Sequence, residues 1–334
     1  MDNKNVDDRI GVYMKIIVTD AKTISNNEEY FNTLKSFGQL EIYPLSSDEQ
    51  IKERIADADI IVCNKNVFNE ENLKYAKKLK YIGLFATGYN NIDVEYCGAN
   101  GITVCNAGSY STDAVAQHTF ALILNYYNKI NQYNELVKEE GWIKSDVFSP
   151  FVYDMNELTG KTIGLVGYGN IARKVGKIAN AFGMKVLAYK RNPLDEEGVS
   201  FVDFDTVIRE SDIVSVHCPL NEESKLMFNG DVFAKMKKTA YFVNTARGGV
   251  MNEDELADAL NNEVIAGAAI DVLTIEPMEA DCKLLRAKNI TITPHVAWAP
   301  IETRDRLMGI VCDNIKAFLD GTPQNVVSVS ITQK

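Results

Sequence analysis

The run KTIGLVGYGNIARKVGKIANAFGMKVLAYKRNP, residues 161–193, constrains the fold more than any other part of the chain. A short apolar stretch leads into Gly167-x-Gly169-x-x-Ala172. A helical pattern follows, and a second apolar stretch closes the run. Strand, tight turn, helix and strand in that order make a βαβ unit. Gly167 permits the turn, Gly169 has no side chain to block a pyrophosphate, and Ala172 allows a helix to pack closely on its sheet. The helix start offers N–H groups and a positive dipole end to phosphate. The run therefore predicts a dinucleotide-binding unit, with Gly167, Gly169, Asn170 and Ile171 along the cofactor.

Lys190 ends the second strand, about 20 residues beyond Gly169, where this kind of unit usually carries an acid. An acid there grips the ribose 2′-hydroxyl of NAD, whereas a cation accepts the 2′-phosphate of NADP. Lys190 and its neighbour Arg191 predict that NADPH is used at least as well as NADH, with NADP(H) slightly favoured. The other reading is that both cations face water and NAD binds through its pyrophosphate.

The alternation of strand and helix extends over almost the whole chain. Before the fingerprint, MKIIVTD, LEIYP, DIIVC, YIGLF and ITVCN read as strands. After it come DIVSVHC, AYFVNT, VIAGAAID and ITITP. Repeated βα units imply mostly parallel sheets covered on both faces, so the fold class is α/β with two doubly wound sheets. Ser47 and Gln50 are placed as a capping box. One long helix is expected over STDAVAQHTFALILNYYNKINQYNELV, and a last helix from about Pro300 to Leu319, ending before Gly321 and Pro323. Between the first of these and the fingerprint lies the aromatic-rich GWIKSDVFSPFVYDMNEL, which packs either within the chain or against a second subunit.

The 334 residues are 46% hydrophobic, enough for two domains with cores of their own. A net charge of −11 without a basic run argues against nucleic acid as a partner. RGG, at Arg247–Gly249, reads as a tight turn rather than an RNA motif. Six cysteines without a C-x-x-C pair read as reduced core thiols of a cytoplasmic protein, with no metal site. The first thirteen residues carry no apolar core and are not a signal peptide; they are expected to be a tail or an over-long start. No apolar run is long enough to span a membrane.

Three stretches beyond the fingerprint end strands with reactive side chains: VNTARGG with Arg247, AIDVLTIEP with Asp271 and Glu276, and ITPHVAWAP with His295. Ligands of open α/β sheets bind at such carboxyl ends. A 2-oxo acid needs its carboxylate held and its carbonyl polarised, and the planar fork of Arg247 can do both. The carbonyl oxygen needs a proton, which an imidazolium at His295 supplies. A carboxylate such as Glu276 orients that ring. Of the other two histidines, His118 lies in the apolar pattern AVAQHTFALIL and reads as structural. His217 ends DIVSVHCPL and reads as a wall of the cofactor site or as a structural residue.

The order GLVGYGNIA, HCPL, NTARGG, AAIDVLTIEP and TPHVAW resembles the D-isomer-specific 2-hydroxyacid dehydrogenases, over nearly the whole chain. ATGYNNID, NAGSYSTDAVAQ and TPHVAWAP are most similar to the glycerate dehydrogenases, or hydroxypyruvate reductases, within it. The resemblance implies a discontinuous flavodoxin-like substrate domain, residues 1–110 and 300–334, around a Rossmann-type nucleotide domain, residues 111–299, with a cleft between them. It implies catalysis by Arg247, Glu276 and His295, and substrate contacts from Gly88, Tyr89, Arg247 and His295. Thr112, His217, Pro219, Thr245, Ala246, Arg247, Asp271 and His295 would line the cofactor. It also implies a homodimer formed through the nucleotide domain, for which the segment Trp142–Tyr153 is suited.

The expected activity is hydride transfer between NAD(P)H and hydroxypyruvate or glyoxylate, giving D-glycerate or glycolate. The alternatives are a larger branched or aromatic 2-oxo acid, or a dinucleotide-sensing, corepressor-like binding protein.

Overall fold

The computed structural model describes residues 14–193 and 195–327. The expectation for the first thirteen residues lies outside them. The described residues form two compact units: residues 14–110 with 301–327, and those of Ser111–Pro300.

The first unit carries five strands, β1 (Met14–Val18), β2 (Gly38–Ile42), β3 (Ile60–Cys63), β4 (Tyr81–Leu84) and β5 (Thr103–Cys105). All pair in parallel, in the order β2-β1-β3-β4-β5. Every residue of β3 and β4 is buried, as a parallel strand covered on both faces must be. The helix Asp48–Arg54 starts with the expected capping box, Ser47 Oγ accepting from the Gln50 N–H and Gln50 Oε1 from the Ser47 N–H. The helix Ile301–Leu319 belongs to this unit, where Phe318 packs on Tyr81 of β4 with ring centroids 4.9 Å apart. Beyond it Val326 bridges Cys105 antiparallel, an addition to β5 that no sequence pattern announced.

The second unit carries β6 (Thr162–Val166), β7 (Lys185–Tyr189), β8 (Ser200–Phe201), β9 (Ile213–Val216), β10 (Tyr241–Asn244), β11 (Gly267–Ile270) and β12 (Ile290–Ile292). The sheet is again wholly parallel, in the order β12-β11-β10-β9-β6-β7-β8. Strand order reverses between β9 and β6, so the fingerprint turn after β6 stands at the switch point, where open α/β sheets bind ligands. One apolar core covers one face, around Val214, Phe228, Phe242, Leu256 and Ile270. Another, around Phe120, Ile123, Ile163, Val175 and Val243, covers the other. The two-residue β8 was not expected, since so short an edge strand leaves no alternating pattern.

The long helix expected after β5 is two helices, Thr112–Asn128 and Ile130–Lys138. Lys129 between them is left-handed, at φ 52° and ψ 34°, which ends the first hydrogen-bond ladder. Its ammonium lies 3.8 Å above the centre of the Tyr126 ring, a contact that favours the break. The first helix is buried along one side, while the second buries no residue.

Candidate active site

All strands of the second sheet are parallel, so their carboxyl ends share one edge. The fingerprint follows β6, Lys190 follows β7, His217 follows β9, Thr245 to Arg247 follow β10, Asp271 follows β11, and His295 follows β12. Thr112, half-buried, is the first residue of the helix Thr112–Asn128.

Gly167 is required twice over. Its φ is +86°, and a Cβ there would stand 2.6 Å from the Cys218 nitrogen. Gly169 differs: an added Cβ would meet nothing within 4 Å, and its φ of −100° suits any residue. The absence of a side chain at Gly169 is therefore not explained by packing. It leaves open space at the start of the helix Asn170–Ala181, whose N-cap has no side chain with which to cap it. Asn170 is exposed there, and Ile171 is half-buried with Ala172 fully buried beneath it. This turn fits a pyrophosphate.

Lys190 is half-buried at the end of β7. Arg191 is exposed and ion-paired with Glu223, on the loop beyond β9. Glu223 carried no signal in the sequence, because the pair joins residues brought close only by the sheet. His217 donates its backbone N–H to Val166, and its Nε2 lies 2.9 Å from Ser215 Oγ. Burial pushes its pKa down to about 4, so the ring is neutral near pH 7. Pro219 is exposed, and its carbonyl accepts from Ser224 Oγ.

Arg247 sits on a turn held by a residue the sequence did not single out. Asn244, fully buried, accepts from the Ala246 N–H through Oδ1 at 3.0 Å and donates through Nδ2 to the Arg247 carbonyl at 2.9 Å. An asparagine closing a strand is the one sequence hint of such a turn. Arg247 Nη1 donates to the Ala246 carbonyl at 2.7 Å. Gly248 lets the loop after β11 press on this turn, since a Cβ there would lie 1.9 Å from the Leu273 carbonyl carbon. Thr245 is buried, its hydroxyl 3.1 Å from that of Thr119.

Glu276 and His295 are brought together. Glu276 Oε2 lies 2.7 Å from His295 Nδ1, while Oε1 accepts from the Leu273 N–H at 2.9 Å. One carboxylate oxygen fixes its own loop and the other the ring. Nδ1–H directed at a carboxylate makes Nε2 the atom that can give or take a proton. His295 has φ +54°, a left-handed conformation costing on the order of 1–3 kcal/mol in a residue with a side chain. Its N–H donates to the carbonyls of Asp271, at 2.8 Å, and Thr293, at 3.0 Å.

Asp271 turns its carboxylate into this loop. It is 1% exposed and accepts from Thr293 Oγ1 at 2.6 Å and from the N–H groups of Val296 and Ala297, both at 2.9 Å. In the other unit, Gly88 and Tyr89 lie on the loop beyond β4, where Tyr89 is exposed. Among the described residues no group of three His, Cys, Asp or Glu is placed to hold a metal, and all six cysteines are free.

A glycine turn at the switch point of a parallel sheet, with a histidine–carboxylate pair on the same edge, points to a dinucleotide-dependent class of α/β enzymes. The family model described as "D-isomer specific 2-hydroxyacid dehydrogenase, NAD binding domain" matches residues 120–297. The chain is 39% identical to a hydroxypyruvate reductase of Blautia hydrogenotrophica, over 94% of this chain and 100% of that one. It is 35% identical to a glycerate dehydrogenase of Methylorubrum extorquens, over 94% and 98%. An acyclic imino acid reductase solved with NADPH and D-Arg superimposes with a TM-score of 0.84 at 31% identity, over 94% and 100%. The chain belongs to the D-isomer specific 2-hydroxyacid dehydrogenase family, and is thus an oxidoreductase with a nicotinamide cofactor.

Proposed function

We propose that the chain reduces a small 2-oxo acid, hydroxypyruvate or glyoxylate, to D-glycerate or glycolate, and runs the reverse reaction with the same residues. The observation that carries this reading is the His295–Glu276 pair at 2.7 Å, set on the sheet edge that also holds Arg247 and the fingerprint turn. The names of the relatives support the small substrate.

A nicotinamide held at this site would supply or accept the hydride. The guanidinium of Arg247 holds the substrate carboxylate and polarises the carbonyl, and backbone N–H groups at Gly88 and Tyr89 assist. His295 Nε2 donates a proton to the carbonyl oxygen, and Glu276 steadies the imidazolium before that transfer. In the reverse direction the neutral ring takes the proton back from the hydroxyl. Gly167, Gly169, Asn170 and Ile171 hold the pyrophosphate. Thr112, His217, Pro219, Thr245, Ala246 and Asp271 line the rest of the cofactor.

Lys190 and Arg191 accept the 2′-phosphate of NADPH in this reading. The Arg191–Glu223 pair is exposed, and such pairs are worth only about 0–1 kcal/mol, so a phosphate dianion can displace Glu223. A homodimer through the second unit is supported by the segment Trp142–Tyr153. It is pinned by Tyr133 donating to the Tyr153 carbonyl, yet Ile143 is 82% exposed and Phe148 and Phe151 are each 89% exposed. Among the described residues none covers these side chains, which favours a second subunit over intrachain packing. The free cysteines fit a cytoplasmic setting. Among the described residues no helix is long and apolar enough to cross a membrane.

The test is the initial rate with hydroxypyruvate, measured side by side with NADPH and NADH, and against phenylpyruvate. Turnover favouring NADPH supports the reading of Lys190 and Arg191. A clear NADH preference overturns it. Preference for phenylpyruvate moves the substrate to larger 2-oxo acids. No turnover on any 2-oxo acid favours a dinucleotide-sensing protein.

A further inference from the structure

The loop bearing His295 is braced from a neighbouring helix. Thr293 Oγ1 lies 2.6 Å from Asp271 Oδ1, and His118 Nε2 lies 2.9 Å from Thr293 Oγ1 and 3.6 Å from Asp271 Oδ1. A hydroxyl has one hydrogen, and an ionised carboxylate can only accept. Thr293 therefore donates to Asp271, and His118 must donate to Thr293 through Nε2–H. Asp271 in turn accepts from the N–H groups of Val296 and Ala297, and its own carbonyl accepts from the N–H of His295. The line of hydrogen bonds His118–Thr293–Asp271 thus ends on the backbone at and just beyond His295. This is the loop that keeps His295 at φ +54°.

The helix Thr112–Asn128 does this at two adjacent residues. His118 meets the loop after β12, and Thr119 meets Thr245 in the loop after β10. His118 is partly exposed, its side chain at 22%, and lies beside a carboxylate, which an inert packing residue does not require.

We propose that His118 is a positioning residue for the acid–base histidine. It donates through Nε2 to Thr293, keeps that hydroxyl directed at Asp271, and so fixes the backbone from which His295 presents its ring. This rests on the proposed role of His295, and the experiment separates the two. His118→Ala and Thr293→Val are each expected to lower kcat on hydroxypyruvate by roughly 10–100-fold, as small misplacements of a catalytic group do. The dissociation constant of NADH, read by fluorescence, should stay within about twofold of that of the parent protein. His118→Gln, which keeps an N–H at the same reach, should restore most of the rate. The double variant should be no slower than the slower single one, because both act through one line of contacts.

The second readout needs no substrate. The chain has three histidines, so ¹⁵N imidazole spectra are readily assigned by substitution. At pH 8, His118 should carry its proton on Nε2, and the His295 signals should move in Thr293→Val and His118→Ala. Unchanged kcat in His118→Ala, a His118→Gln variant as slow as His118→Ala, a His118 protonated on Nδ1 alone, or unmoved His295 signals would each overturn the proposal. If no 2-oxo acid is turned over, the reading of His295 as the acid fails, and the spectra still decide whether the brace exists.

Discussion

At the scale of single residues, the proposed chemistry depends on one atom being left for the substrate. Glu276 takes Nδ1 of His295, which leaves Nε2 for the proposed proton transfer. His295→Gln is expected to lower kcat at least roughly 10²-fold while NADH still binds; near-normal turnover in a stopped-flow assay would remove His295 from the mechanism. Arg247→Lys should raise KM for the 2-oxo acid strongly, since an ammonium cannot reproduce the planar fork. An unchanged KM would mean that the guanidinium does not hold the carboxylate.

His217 contributes to stability rather than to charge. Its folded pKa, about 4, lies below the ordinary value of 6.5, so the unfolded chain binds the proton more readily. Stability is then full above pH 6.5 and is lost as pH falls towards 4, by at most about 3 kcal/mol. Urea titrations at pH 7 and pH 4.5 should show a smaller difference in His217→Asn than in the parent protein. An equal difference would assign the acid sensitivity to other groups.

At the scale of elements, the fingerprint turn divides its two glycines between folding and binding. Gly167→Ala forces a Cβ to 2.6 Å from the Cys218 nitrogen at a positive φ, and should destabilise by at least about 1–3 kcal/mol, visible as a lower Tm. Gly169→Ala meets no neighbour and should leave Tm within a degree or two, yet weaken NADH binding about tenfold or more. If Gly169→Ala bound NADH normally, the pyrophosphate would not lie over that position. The same scale explains the broken helix. The pattern from Ser111 to Val137 is apolar enough for one helix, but a single left-handed residue, Lys129, ends the ladder.

At the scale of the whole molecule, the exposed apolar segment is what the proposed homodimer would cover. Light scattering should give about twice the chain mass of 37.2 kDa. Replacing Phe148 and Phe151 together by Glu should halve that mass, since two buried carboxylates without partners oppose association. A monomer in the unaltered protein would leave the segment without its proposed role.

The two parallel sheets, the fingerprint turn and the candidacy of Arg247, Glu276 and His295 are legible along the chain. Periodicity, glycine spacing and strand-end polarity are local, and parallel pairing follows from the βα alternation that carries them. Which polar atoms meet depends on how the elements pack in three dimensions. Asn244 under the Arg247 turn, Glu223 against Arg191, and His118 on Thr293 and Asp271 lie on different strands, helices and loops or turn their side chains inward. The resemblance implies that Asp271 lines the cofactor; the fold adds that its carboxylate accepts from Thr293 Oγ1 and from the N–H groups of Val296 and Ala297. A hydrogen bond needs its two atoms placed to within tenths of an ångström, as in the His118–Thr293 contact between residues 175 positions apart, and no spacing along a chain encodes that.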